Sequence, residues 1–406
     1  MAALMTTLRN QSKMALVYLV VAAALGCVLR FFRVFDIPVT YKFIVHAHSH
    51  IALLGWVYLA LTTLLYELFL KGLGIDKKYA RIFWFTQVTL VGMLLTFPLQ
   101  GYAVFSIVFS TLFLFASYWF SYFFYKNVPR EYKTVPSFKC AKAAIVYLLV
   151  SSIGPWALGA IMNILGPDSI WYRLAIYFYL HFLYNGWMIM ALVAVFLFFL
   201  EKQQVVLPER KFKTFFWGLN LGIVFSFFLS TLFAHPGPGS YLLGGVGAVL
   251  QLGAFYILLR FSRGRQSEVM KALSPFQYRL LGAVALLWGI KMLLQLLSAL
   301  PYFAELAVTY LDFTIGYLHW TFLGVVTMGL FLFLDSFKLL ALNRKFFFLY
   351  ALGFLLTEAL IFYRAIAYWQ RLELLSRFDA ILGIASLLVL LALVGLLLGK
   401  GKKVRR

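Results

Sequence analysis

From one end of the chain to the other, apolar positions run together in long blocks, and polar positions fall in the short gaps between them. A block of about 18 or more apolar residues is long enough to cross the hydrocarbon layer of a bilayer as a helix. The blocks lie near 14–34, 43–68, 80–99, 101–125, 139–162, 172–200, 213–234, 240–260, 276–298, 308–334, 345–367 and 378–399. They are unbroken, whereas strands of a membrane barrel are about ten residues long and alternate apolar with polar positions. The pattern predicts an all-α polytopic bundle of about twelve transmembrane helices.

Composition agrees with this. Of the 406 residues, 63% are hydrophobic and 12% charged, against roughly a quarter charged in a soluble domain. The longest connection on one side, Lys126–Phe138, is too short to fold alone. On the other side only Leu165–Trp171, the turn starting His235-Pro-Gly-Pro-Gly and Ala367–Phe378 stand out. Residues 1–406 therefore read as a single transmembrane domain, with no internal repeat visible along it.

The net charge of +22 changes the picture only through its distribution. All but eight of the 36 basic residues fall on one side of a twelve-helix topology. They occupy Arg9 and Lys13, Lys71–Arg81, Lys126–Lys142, Lys202–Lys213, Arg260–Arg279, Lys338–Lys345 and Lys400–Arg406. The exceptions are Arg30, Arg33, Lys42, Arg173, Lys291, Arg364, Arg371 and Arg377. This is the positive-inside bias, which predicts a multi-pass integral membrane protein with both termini cytoplasmic. Membrane lipids are its expected surroundings, and nucleic acid is not an expected partner.

Cys27 and Cys140 are poorly placed for a disulfide, and neither belongs to a CxxCH haem-attachment motif. Ala24-Leu25-Gly26-Cys27 faintly resembles a lipoprotein cleavage site, but cleavage there would invert the charge bias, so the first block reads as a retained helix.

The six histidines carry the chemical signal. His46, His48 and His50 open helix 2, His181 lies in helix 6, His235 closes helix 7, and His319 lies in helix 10. All fall in the outer half of the membrane. Ionisable groups at such depths are costly and usually functional, and imidazole is a good ligand for haem iron and copper. His50 lies one turn beyond His46 on the same face, and is the candidate metal ligand of the three. Each histidine also has a structural reading: a wet cap for His46 and His48, a packing residue for His181 and His319, a loop residue for His235. Asp312 lies seven residues before His319 and would orient its imidazole, or sit as an interfacial carboxylate at the helix mouth. Glu358 and Lys291 fall inside helices 11 and 9, where a buried charge needs a partner.

The string His48-Ser-His50-Ile-Ala-Leu-Leu-Gly-Trp56 resembles the helix 2 motif of NnrS-like haem and copper membrane proteins. His319-Trp-Thr-Phe-Leu-Gly-Val-Val-Thr-Met-Gly resembles the helix 10 region of the wider haem–copper oxidase superfamily. Histidines on helices 2, 6, 7 and 10 match the order of that superfamily's catalytic subunit. The resemblance implies an oxidase subunit I-like bundle in a bacterial inner (plasma) membrane. It implies a low-spin haem, b-type, ligated by His50 and His319 with His48 nearby. His181 and His235 would lie where oxidases bind copper, and Arg364, Arg371 and Arg377 would meet haem propionates, a pairing that suits the guanidinium fork. A quinol or cytochrome donor, accessory membrane subunits, and nitric oxide, oxygen or quinol chemistry follow as expectations.

The sequence also departs from the family. Tyr317 stands where oxidases place the high-spin haem ligand, His235 is alone where they have a pair, and Asn185 replaces the tyrosine one turn after the helix 6 histidine. Reduction of dioxygen to water by this chain alone is therefore not expected. Two other classes share the twelve-helix layout. One is a secondary transporter, whose halves would be related around a midplane site. The other is a lipid-binding membrane protein without a redox cofactor, with His235 and the outer arginines as a headgroup site.

Overall fold

The structure is a computed structural model and describes residues 7–399. Among the described residues, twelve helices are long and apolar enough to span a membrane. They are α1 (Leu8–Phe31), α2 (Tyr41–Phe69), α3 (Asp76–Gln100), α4 (Val104–Asn127), α5 (Pro136–Ile164) and α6 (Ile170–Lys202). They continue with α7 (Glu209–Ala234), α8 (Pro238–Arg263), α9 (Pro275–Leu297), α10 (Leu311–Ser336), α11 (Arg344–Gln370) and α12 (Phe378–Leu398). The expected all-α, twelve-span membrane bundle is what the chain forms. Its outward positions are as apolar as a bilayer requires, with Leu99, Ile164 and Leu242 each more than two-thirds exposed.

Local chemistry sets the helix ends. Thr7 caps α1 by accepting the N–H of Asn10. Ser274 and Gln277 form a reciprocal capping box at the start of α9, with Pro275 in the first turn. At its far end α7 tightens into a 3-10 stretch, Phe227–Ala234, and stops at His235, whose backbone is left-handed (φ 48°). The apolar block expected at 308–334 begins instead at Leu311. A separate short helix, Pro301–Thr309, precedes it, and the extended backbone of Tyr310 breaks the two apart. The basic tail Lys400–Arg406 lies outside the described residues.

The chain packs as two compact units. One comprises α1–α4 together with the chain from Leu330 onward, and the other comprises residues 129–329. In the first, α1 runs against α2 and α12, α11 against α12, and α3 against α4. In the second, α7 pairs with α8, and α5 runs antiparallel to α6 along its length, Pro136–Ser151 against the π-helical stretch and Ile189–Lys202, and Ile153–Ile164 against Ile170–His181.

Three spans stand apart. The most apolar windows of α2, α6 and α10 are 89%, 94% and 67% buried, whereas the other nine reach 50% at most. The same three depart from α-helical geometry, with π-helical stretches at Ile51–Tyr58, Phe182–Met188 and Trp320–Thr327. Each stretch begins immediately after a histidine: His50, His181 and His319. A glycine follows each histidine at the fifth position, Gly55, Gly186 and Gly324.

The helix preceding each of these spans packs on its π-helical stretch. A methyl group added at Gly55 would sit 2.8 Å from Tyr18 Cβ of α1. One added at Gly186 would sit 2.6 Å from Tyr147 Cβ of α5. The two tyrosines then brace the following helix: Tyr18 donates to Gln87 Oε1 of α3 at 2.9 Å, and Tyr147 to Asn220 Oδ1 of α7 at 3.0 Å. In the third case Trp320 Nε1 donates to the Leu287 carbonyl of α9 at 2.9 Å. Every fourth helix thus carries a histidine, a π-helical stretch and a glycine five residues on, packed on the helix before it, and in α2 and α6 a tyrosine of that preceding helix lies over the glycine.

Candidate histidine sites

The first site lies in the opening turns of α2. His50 Nδ1 is 2.8 Å from the His46 carbonyl oxygen one turn earlier. A carbonyl only accepts, so Nδ1 carries the proton and Nε2 the lone pair. The partner of Nε2 is the half-exposed hydroxyl of Tyr102, at 3.2 Å. The imidazole lies against the Phe97 ring with centroids 4.3 Å apart, and Tyr102 meets the Phe97 ring edge-on. Gly101 makes this possible. Its φ of 60° turns the chain out of α3, and a methyl group there would meet the Phe43 ring at 2.4 Å.

His48 faces α1, where its Nδ1 bonds the Ala22 carbonyl at 2.8 Å. A methyl group at Gly26 of α1 would approach that ring to 3.1 Å, so a small residue there lets the imidazole lie on α1. His46 lies edge-on to Tyr102, centroids 4.5 Å apart. The chemistry of His50 is that of an imidazole with a fixed tautomer, a backbone-anchored proton and an electron pair turned toward a polar, partly accessible group. In metal-binding histidines the same second bond fixes the ring and raises its basicity.

His181 is built differently. Its Nε2 donates to the Ile223 carbonyl at 2.8 Å, and its Nδ1 accepts from Ser230 Oγ at 3.1 Å and Asn185 Nδ2 at 3.3 Å. Both ring nitrogens are therefore engaged by protein, and the residue is 1% exposed. The bonds continue inward. Lys291 of α9 is fully buried and donates to the Asn185 amide oxygen and, at 2.6 Å, to Gln295 Oε1. Tyr317 of α10 donates to the same Gln295 oxygen at 3.4 Å. The rings of Tyr184 and Tyr317 lie 5.9 and 5.8 Å from the ammonium group, within cation–π range. The acceptors of this buried amine are amide oxygens and aromatic faces. The members of this network come from four helices, so no single stretch of sequence announces it; the one sequence signal is Lys291 itself, a lone charge inside an apolar block.

His319 closes the first α-helical turns of α10 and is half-buried, as is Asp312 near the start of the same helix. His235 is exposed in its left-handed turn. Among the described residues no group of three or more His, Cys, Asp or Glu side chains converges. Cys27 and Cys140 are buried free thiols.

The three arginines divide. Arg364 is buried within α11, where its Nη1 is 3.4 Å from Asp379 Oδ1 and its guanidinium lies 5.5 Å from the Phe378 ring centre. Arg371 and Arg377 are exposed and left-handed, and bracket the α11–α12 connection. Glu358, a turn and a half before Arg364, is 2% exposed, and neither carboxylate oxygen has a hydrogen-bond partner.

No protein-family model matches this chain, and no curated protein matches it in sequence.

Proposed function

We propose that the protein is a haem-binding redox protein of the membrane, a diverged relative of the haem–copper oxidase catalytic subunit, in a bacterial inner membrane. The observation that carries the reading is the His50 imidazole: its proton is held by the His46 carbonyl, and its lone pair meets only a peripheral tyrosine hydroxyl. Such a ring is preorganised to bind iron. His319, at the corresponding junction of α10, supplies the second imidazole of the proposal. The three enclosed helices with their π-helical stretches add support, because π-bulges concentrate at functional sites.

A bound haem would supply one-electron transfer, with a quinol or a cytochrome as the donor class. The chain's own contributions are the fixed tautomer of His50, the aromatic wall of Phe97, and the cationic edge at Arg371 and Arg377, suited to carboxylates. Copper at His181 and His235 does not fit this arrangement. His181 has no electron pair left for a metal, and His235 sits in an exposed turn.

The test is an absorption spectrum of detergent-purified protein before and after dithionite, with iron counted on the same sample. The expected result is a narrow α band on reduction and about one iron per chain, as for a bis-imidazole haem. Replacing His50 or His319 by Ala removes both. A colourless protein from haem-replete cells would sink the reading.

A further inference from the structure

A cavity of about 740 Å³ opens at the end of the second unit opposite the His235 turn, where α7 begins and α8 ends. Arg210 and Lys211 line it from α7, Arg260 from α8, and Arg265 from just beyond α8, with Tyr256 and Phe261 among its apolar wall residues. All four cations are exposed. Arg265 is 3.5 Å from Glu268, and nearby Glu209 is engaged by Lys213 at 2.7 Å. Among the described residues, Arg210, Lys211 and Arg260 have no carboxylate partner. Four like charges round one cavity repel each other, and an anion seated there relieves that repulsion.

The cavity also has the position and chemistry of a membrane rim. It lies at the ends of two spanning helices. Tyr256, 58% exposed, stands one turn before Arg260 on α8, and Trp217, 59% exposed, stands about one turn beyond Thr214 on α7. Exposed Tyr and Trp mark the headgroup level. A free anion would need the cations but not the apolar wall, whereas an amphiphile uses both.

We propose that this cavity seats an anionic phospholipid taken from the adjoining leaflet, its phosphate among Arg210, Lys211 and Arg260 and its glycerol and upper chain carbons against Tyr256 and Phe261. Basic pockets between spanning helices have the chemistry for such headgroups. The proposal is independent of the haem reading, since it uses other residues at the other end of the helices.

Native mass spectrometry of the full chain, titrated with phosphatidylglycerol or phosphatidylcholine in detergent, tests it. The expected result is one phosphatidylglycerol retained at activation energies that strip phosphatidylcholine. The triple variant R210Q/K211Q/R260Q loses that adduct, and a charge-matched control, K77Q/K78Q/R81Q, keeps it. Because all six side chains are exposed, both variants should fold, which an unchanged melting temperature verifies. Equal retention of the two lipids, or equal loss in both variants, would overturn the proposal. So would displacement of the lipid by inorganic phosphate at near-equal concentration, since the apolar wall would then contribute nothing.

Discussion

The proton on His50 Nδ1 points at the carbonyl oxygen of His46, 2.8 Å away and one turn earlier in the same helix. The bond fixes the tautomer without help from another element, so the electron pair on Nε2 is available wherever the first turns of α2 form. The second contact, with Tyr102 at 3.2 Å, is a long hydrogen bond to a side chain that is 47% exposed.

This asymmetry separates two substitutions. His50→Gly should lose the reduced α band and regain it when free imidazole is added to the purified protein, because the missing group is a ligand rather than a packing element. Tyr102→Phe should keep the band. If imidazole restores nothing although the variant is folded, His50 is not the ligand.

His181 should behave in the opposite way. Replacing it by Ala removes one of the donors to the Ile223 carbonyl, which keeps Ser226 Oγ, and takes the acceptor from the Ser230 hydroxyl and the buried Asn185 amide, at about 1–3 kcal/mol for each buried group left unsatisfied. The expected outcome is a clear fall in melting temperature with iron per chain unchanged. Loss of metal without loss of stability would contradict the hydrogen-bonded role.

Lys291 and Asn185 should be strongly coupled. Lys291→Met removes the donor to the Asn185 oxygen and one of the two donors to Gln295 Oε1, and Asn185→Leu removes one acceptor of the ammonium group. In a double-mutant cycle the two costs should fall short of additivity by about 0.5–3 kcal/mol, as for groups in one network. Additive melting shifts would show that the two residues act separately.

Glu358 offers a stabilising change. A buried carboxyl with neither oxygen bonded carries a desolvation cost, with Arg30 of α1 the neighbouring cation. Glu358→Gln and Glu358→Met should leave the fold intact, and the second should match or exceed the parent melting temperature. A large drop for both would mean that the carboxylate holds a partner essential to the fold.

Glycine 186 tests the repeated design directly. Gly186→Ala should destabilise by about 1–3 kcal/mol through overpacking against Tyr147. Gly159→Ala, where a methyl group meets nothing within 4 Å, should be close to neutral in a thermal melt. Equal effects would remove the close approach as the reason for glycine at position 186.

The sequence was most informative where one helix suffices. Blocks of apolar residues announce spanning helices because an isolated segment must satisfy its own backbone in lipid, whatever its neighbours do. The His46–His50 relation was also legible, since residues four apart share a helix face. Helix 10 starts at Leu311 and not at 308, because the apolar run continues through Tyr310 and only backbone geometry breaks it there.

The membrane class, the number of spans and the helices that carry histidine are all properties of short stretches of chain, and so can be read without the fold. Contacts between helices settle what each imidazole lone pair meets. At His50 it meets a peripheral hydroxyl, whereas at His181 α7 brings a carbonyl to one ring nitrogen and a serine to the other, which occupies the pair. The structure also decided that Lys291 meets amide oxygens and that Gly55 and Gly186 lie beneath tyrosines. Such facts depend on contacts between residues far apart in the chain, and the identity of a side chain does not encode what packs against it.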